Sequence, residues 1–309
     1  MRLAVSKGRW AIVWVITLLL NQGPAHSQDS QRLLQLDMLL EDLNPPSASE
    51  LMQGLGPVPS LAELLVPLPA GFVPLLERPL LTAGDRGLEE LASRRDLEPD
   101  ASNALEFAWE LAELAQERLG ADHRYCARAR SRALELETLA LLGEEDRELR
   151  KGLDGEFAAA IQAYKKGRLD EALERTIDLV CIEYGLMGSS GNLADPLGTI
   201  ATFLYEKGDY PRGERAARAA VQQSIQEAGV CDRKLANALN NLASLSTIMR
   251  RLAVGRQLHA HSLAVRRELY GDQVGEFAQA LLQLAGLYRL SEDHESAARV
   301  VDRAIAILE

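Results

Sequence analysis

The chain has 309 residues, with 45 Asp and Glu against 34 Lys and Arg and a formal charge of −11. That balance provides no basic footprint of the kind that duplex nucleic acid or an acidic membrane surface demands, so neither is an expected partner. Its three cysteines, Cys126, Cys181 and Cys231, match no metal spacing and cannot all pair within one chain, so no obligatory disulfide framework is expected.

At the N-terminus, Arg2, Lys7 and Arg9 precede an apolar run from Trp10 to Leu20, followed by Pro24 and the small-x-small triplet Ala25-His26-Ser27. This is the order of a secretory signal peptide, with cleavage expected before Gln28. The run is too short to span a bilayer, which needs about 20 apolar residues. Cleavage would remove three bases and no acid, moving the formal charge from −11 to −14. The mature chain is expected in the periplasm or outside the cell.

Residues 28–100 come next: an amphipathic stretch over Arg32 to Leu43, then eight prolines between Pro45 and Pro79. Proline breaks helices, so no single regular element fits. Yet Leu61-Ala-Glu-Leu-Leu-Val-Pro-Leu-Pro is strongly apolar, unlike a disordered linker. Either the segment packs against the rest of the chain as extended strand and short helical turns, or it is a partner-binding arm.

From residue 101 onward the pattern is helical. Ala104, Leu105, Ala108, Leu111, Leu114 and Ala115 recur at three- and four-residue steps. Short turn clusters fall at Gly120, Gly143, Gly188, Gly229 and Gly271. The last part repeats at 42 residues. Leu197, Leu239 and Leu281 align, as do Ile200, Leu242 and Leu284, and Ala201, Ala243 and Ala285. Such a period marks stacked units, each burying its apolar face against its neighbours.

These units resemble tetratricopeptide repeats, in the 42-residue class of kinesin light chains. Leu281, Leu284, Ala285, Tyr288, Ala297, Val301 and Ala304 occupy the family's large and small positions in the last copy. Ala160, Gly167 and Ala172 anchor an earlier copy, and Leu119-Gly-Ala-Asp-His123 is similar to the linker before it. The resemblance implies an all-α, right-handed α-solenoid of antiparallel helix pairs, with four to five repeats over 101–309, clearest over 153–309. The third copy departs from the pattern at two places: Ser246 replaces a large residue at the end of the first helix, and Arg250 replaces glycine in the turn. That copy is expected to pack less well than its neighbours.

The resemblance also implies a concave groove lined by the first helix of each pair. Carried over position by position, it gains Tyr164, Lys165, Thr202, Tyr205, Asn237, Asn240, Asn241, Ser244, Thr247, Gln279, Gln283 and Arg289. Side-chain amides offer donors and an acceptor together and so suit a peptide backbone. The alternative is that they are solvated polar positions only. The family's cationic clamp for a terminal carboxylate is not matched, because Asp154 and Asp195 stand where a cation would be needed.

Phosphate loops, nucleophile elbows and zinc-helix motifs are absent, so no catalytic, cofactor or metal site is expected. His259 and His261 lie two apart on a helix and cannot share a metal, and His259 falls on a core position. The expected role is an interaction adaptor or assembly scaffold for an unknown protein or peptide. Two alternatives remain: a self-assembling module, dimeric through a C-terminal end face around Ile305 and Leu308, and a regulatory subunit of a larger effector system.

Overall fold

The computed structural model describes residues 25–68, 102–119, 124–228, 232–272 and 275–309. Residues 1–24 of the expected leader, residues 69–100 of the Pro-rich segment and Cys231 lie outside the described residues. The described part is all-α, with no strand. Three helices belong to the N-terminal segment: α1 (Ala25–Leu43), α2 (Ala48–Gly54) and α3 (Leu61–Leu65). Ten follow as five antiparallel pairs: α4 (Ser102–Leu119) with α5 (Arg124–Ala140), α6 (Glu144–Lys165) with α7 (Leu169–Met187), α8 (Ala194–Lys207) with α9 (Tyr210–Ala228), α10 (Arg233–Ile248) with α11 (Leu252–Tyr270), and α12 (Gly275–Leu290) with α13 (His294–Leu308).

The last four pairs close by one and the same turn. At the end of each first helix a backbone N–H bonds back five residues: Arg168 to Ala163 O, Asp209 to Leu204 O, Arg251 to Ser246 O and Asp293 to Tyr288 O, at 2.8–3.0 Å. This closure needs a left-handed residue just before the donor. Gly167 and Gly208 supply it in the first two of these pairs, at φ 76° and 81°. In the other two, Arg250 and Glu292 adopt it at φ 63° and 61°.

Within each pair the helices cross on small residues. Ala201, Ala243 and Ala285 are buried. A Cβ on Gly213 would come within 3.4 Å of the Ala201 carbonyl, and one on Gly255 within 3.2 Å of the Ala243 carbonyl. Leu197, Leu239, Leu281, Ile200, Leu242 and Leu284 fill the space around these crossings and are essentially inaccessible.

Helix starts follow the local chemistry. Ser47 with Glu50, and Ser60 with Glu63, form capping boxes that open α2 and α3. Asp232 accepts from Lys234 N at 2.8 Å to open α10. The start of α8 is capped from a neighbour: Leu193 N and Ala194 N both donate to Glu227 of α9. Burial raises the Glu227 carboxyl above its ordinary value, against the pull of Lys234 at 2.7 Å.

The N-terminal segment packs, as far as Leu68, along the second helices of the stack. α1 lies on α7 and α9, α2 reaches α9 and α11, and α3 reaches α11 and α13. Leu36, Leu39, Leu40 and Leu43 enter the core from one face of α1, while Leu34 and Met38 face solvent. The four leucines recur at three- and four-residue steps, which places them on a single stripe. Ion pairs flank this stripe: Arg32 with Glu174 and Asp178, and Asp37 with Arg212 and Arg215.

α4 and α5 pack on each other around Ala108, Leu111, Ala112, Ala133 and Cys126. α5 then lies across the turns between later pairs. Arg128 bonds Asp232, Thr138 meets Ser190 at 2.9 Å, and Glu135 joins Glu183 through Arg150.

Candidate functional site

The face opposite the N-terminal segment is formed by the first helices α6, α8, α10 and α12. Its side chains recur at three- and four-residue steps: on α12, Gln279, Leu282, Gln283, Arg289 and Leu290 are all exposed. Asn237, Asn240, Asn241, Ser244, Thr247 and Ile248 take the matching places on α10. α8 contributes half-buried Thr202 and exposed Tyr205, and α6 contributes half-buried Tyr164 and exposed Lys165. The sequence-derived residues thus lie exposed or half-buried on the first helices of the last four pairs.

They do not all stand ready for a partner. Asn241 Nδ2 donates to the Gly198 carbonyl at 3.0 Å and to Thr202 Oγ1 at 3.2 Å, so it clips α10 to α8. Asn237 Oδ1 accepts from Arg266 at 2.8 Å. Ser244 and Thr247 spend their hydroxyl protons on the carbonyls of Asn240 and Ala243 in their own helix. Tyr164 OH donates to Glu206, which raises the phenol above its ordinary value. Its ring packs on Phe203 at 4.9 Å, and that of Tyr205 on Tyr210 at 5.8 Å.

Three amides are left over. Asn240 Oδ1 is buried without a hydrogen-bond partner among the described residues. Gln279 and Gln283 are exposed on α12. Exposed Tyr205, Ile248, Leu282 and Leu290 add apolar surface to the same face. Formal charge is sparse there: the α10 and α12 positions named above carry only Arg289.

His259 and His261 are both buried, and burial pushes the His259 imidazole down to about 4 and lowers that of His261. Among the described residues no group of three or more His, Cys, Asp or Glu is placed to hold a metal ion, and no helix is long and apolar enough to cross a membrane. Cys126 and Cys181 are free thiols, and burial pushes Cys181 up to about 12. A cavity of about 370 Å³ lies between α1, α6 and α7, bordered by Arg32, Glu156, Glu171, Glu174, Arg175 and Asp178. Each of its two guanidinium groups is already bonded to two of those four carboxylates, so neither is free for an anionic ligand.

Sequence reasoning did not find the surface under α1. One signal was present: Arg212, Arg215 and Arg218 recur every three residues on α9, a basic stripe in an acidic chain. The structure meets it with Asp37 and the carbonyl of Pro46.

Residues 234–309, which hold α10 to α13, match the family model of the tetratricopeptide repeat. The last two helix pairs are tetratricopeptide repeats. Such repeats are modules of protein–protein interaction. Among solved structures, this repeat protein is similar to BtubC (BKLC) from P. vanneervenii, with 21% identity, 72% of this chain and 85% of that chain covered, and a TM-score of 0.49. It is also similar to a putative kinesin light chain with nearly identical TPR-like repeats from Podosopora anserina, at 13% identity, 72% and 94% coverage and a TM-score of 0.41. A single-substitution form of that protein gives 13%, 72%, 93% and 0.42. No curated protein matches the chain.

Proposed function

We propose that this protein is an exported adaptor that holds an extended segment of a partner protein on the face of α6, α8, α10 and α12. The observation that carries the reading is the division of labour among the amides. Asn241 fixes the surface, whereas Asn240, Gln279 and Gln283 keep unmet capacity on it. A buried acceptor without a partner is costly, and a bound backbone N–H would relieve it after a small rotation of the amide. The opposite face is already occupied by the chain's own α1 to α3. Export rests on the leader pattern over 1–27.

Affinity capture from cell-envelope extract tests this, with the mature chain as bait beside Asn240→Ala/Gln283→Ala and mass spectrometry as readout. A partner held by the parent and lost by the variant, at equal thermal stability, is the expected result. A partner held equally by both would move the site elsewhere. A second reading, self-association, draws on the exposure of Ile305 and Leu308 on α13, 47% and 62% accessible. Recovery of the bait alone, with light scattering that grows with concentration, would favour it.

A further inference from the structure

The buried apolar residues of the repeats do not form one continuous core. A front cluster gathers α1, α2, α6 to α10 and, from α11, Leu258. A separate rear cluster gathers Leu64 of α3, Ala260 and Leu263 of α11, and the core of α12 and α13 around Phe277, Leu281 and Val300. Helix α11 therefore lends one set of side chains to each cluster, and the division falls within it.

The first helices are unevenly joined along the stack. α8 packs on α10 and is clipped to it by Asn241. α10 and α12, like α6 and α8, make no comparably extensive contact, and among the described residues no hydrogen bond or ion pair joins α10 to α12. Near the end of α10, Ser246 is equivalent to Leu204 and Tyr288 in the turn closures. It is buried, and its hydroxyl has no partner. A small polar side chain there contributes little packing and no hydrogen bond.

The N-terminal segment spans the break. Its front part is fixed by Asp37 to α9 and by the Arg218 bond to the Pro46 carbonyl. Its rear part is fixed by Leu64 and by Arg267, which donates to the carbonyls of Glu63 (2.5 Å) and Val66. Leu68 N donates to Asp272, which also receives Arg303 of α13. The connector between the two parts, residues 55–60, is largely exposed and holds Gly56 at φ 85° between Leu55 and Pro57.

We propose that the protein is built as two blocks jointed at α11, with α3 as a latch that holds the rear block, α12 and α13, against the front one. Exposed Ile248 and Leu282 stand on either side of the joint on the candidate face, so its opening resets the spacing of that face. The joint does not depend on that face binding a partner. Cooperative units of unequal stability are readable by amide exchange, so the test is native-state hydrogen–deuterium exchange on the full chain, resolved by peptide. Amides of α12 and α13 are expected to exchange together and at least tenfold faster than those of α8 and α9. Leu64→Ala and Arg267→Ala, made separately, are each expected to speed α12 and α13 a further tenfold and leave α8 and α9 unchanged. A common rate throughout would overturn the joint. Equal acceleration of both blocks by either variant, or none, would overturn the latch.

Discussion

The same substitution is expected to have opposite outcomes at two glycines of this chain. Gly155 lies within α6 with no atom inside 4 Å of where a Cβ would stand. Gly255 lies within α11, where a Cβ would meet Thr247 Oγ1 at 2.7 Å and the Ala243 carbonyl at 3.2 Å. The Thr247 hydroxyl cannot swing aside freely, because it is bonded to that same carbonyl at 2.7 Å. Gly155→Ala is therefore expected to stabilise by about 0.5–1 kcal/mol through backbone entropy. Gly255→Ala is expected to destabilise by about 1–3 kcal/mol, the cost of overpacking exceeding the propensity gain. Urea unfolding of the two variants checks the contrast. The need for small residues at Ala201, Ala243 and Ala285 was legible in the sequence, because a period aligns them. The roles of the two glycines are not periodic: both read as helix-interior glycine, and only the neighbouring helix distinguishes them. The amides divide the same way. Asn240 and Asn241 are adjacent and identical in type, yet one faces Gly198 across α8 and the other does not.

At the scale of the element, the four turn closures are a controlled series written into one chain. Each needs one left-handed residue, and two pairs provide glycine while two force Arg250 and Glu292 into it. The left-handed conformation costs a non-glycine residue about 1–2 kcal/mol, partly offset by the greater freedom glycine has when unfolded. Arg250→Gly and Glu292→Gly are each expected to raise stability by about 0.5–1 kcal/mol, while Gly208→Ala, which meets no steric obstacle, is expected to lower it by about 1 kcal/mol. Denaturant midpoints at constant slope are the measurement; a loss on Arg250→Gly would refute strain at that turn. The sequence marked Arg250 and Ser246 as departures from the repeat; Arg250 takes the left-handed turn position and Ser246 is buried with an unpartnered hydroxyl. The looser packing expected of that copy is not seen, since α10 and α11 pack on each other at least as extensively as the helices of the other pairs. The latch was not legible in the sequence, because α3 and α11 are far apart in the chain and no local pattern couples them.

For the whole molecule, the question the sequence left open was whether the N-terminal segment is a free arm or part of the body. Hydropathy could not decide it, since an apolar stripe on α1 suits either an internal or an external partner. The charges decide it: Arg32, Asp37 and Asp42 each face a complementary group on the second helices, Glu174 and Asp178, Arg212 and Arg215, and Tyr184. A stripe wedged between matched ion pairs has one register, and here it covers the outer face of α7 and α9. Two leucines two residues apart then separate the alternatives. Leu36 is fully buried and Leu34 is 60% exposed. Leu36→Ala is expected to cost about 2–5 kcal/mol, the usual penalty of a core cavity, and Leu34→Ala less than about 0.5 kcal/mol. In a free arm the two variants would unfold alike, and both like the parent. Because α1 joins the front cluster only, the Leu36→Ala loss is expected in the transition of α6 to α10, whereas Leu64→Ala acts on α12 and α13; a circular-dichroism melt of each, read beside amide exchange, locates the effect.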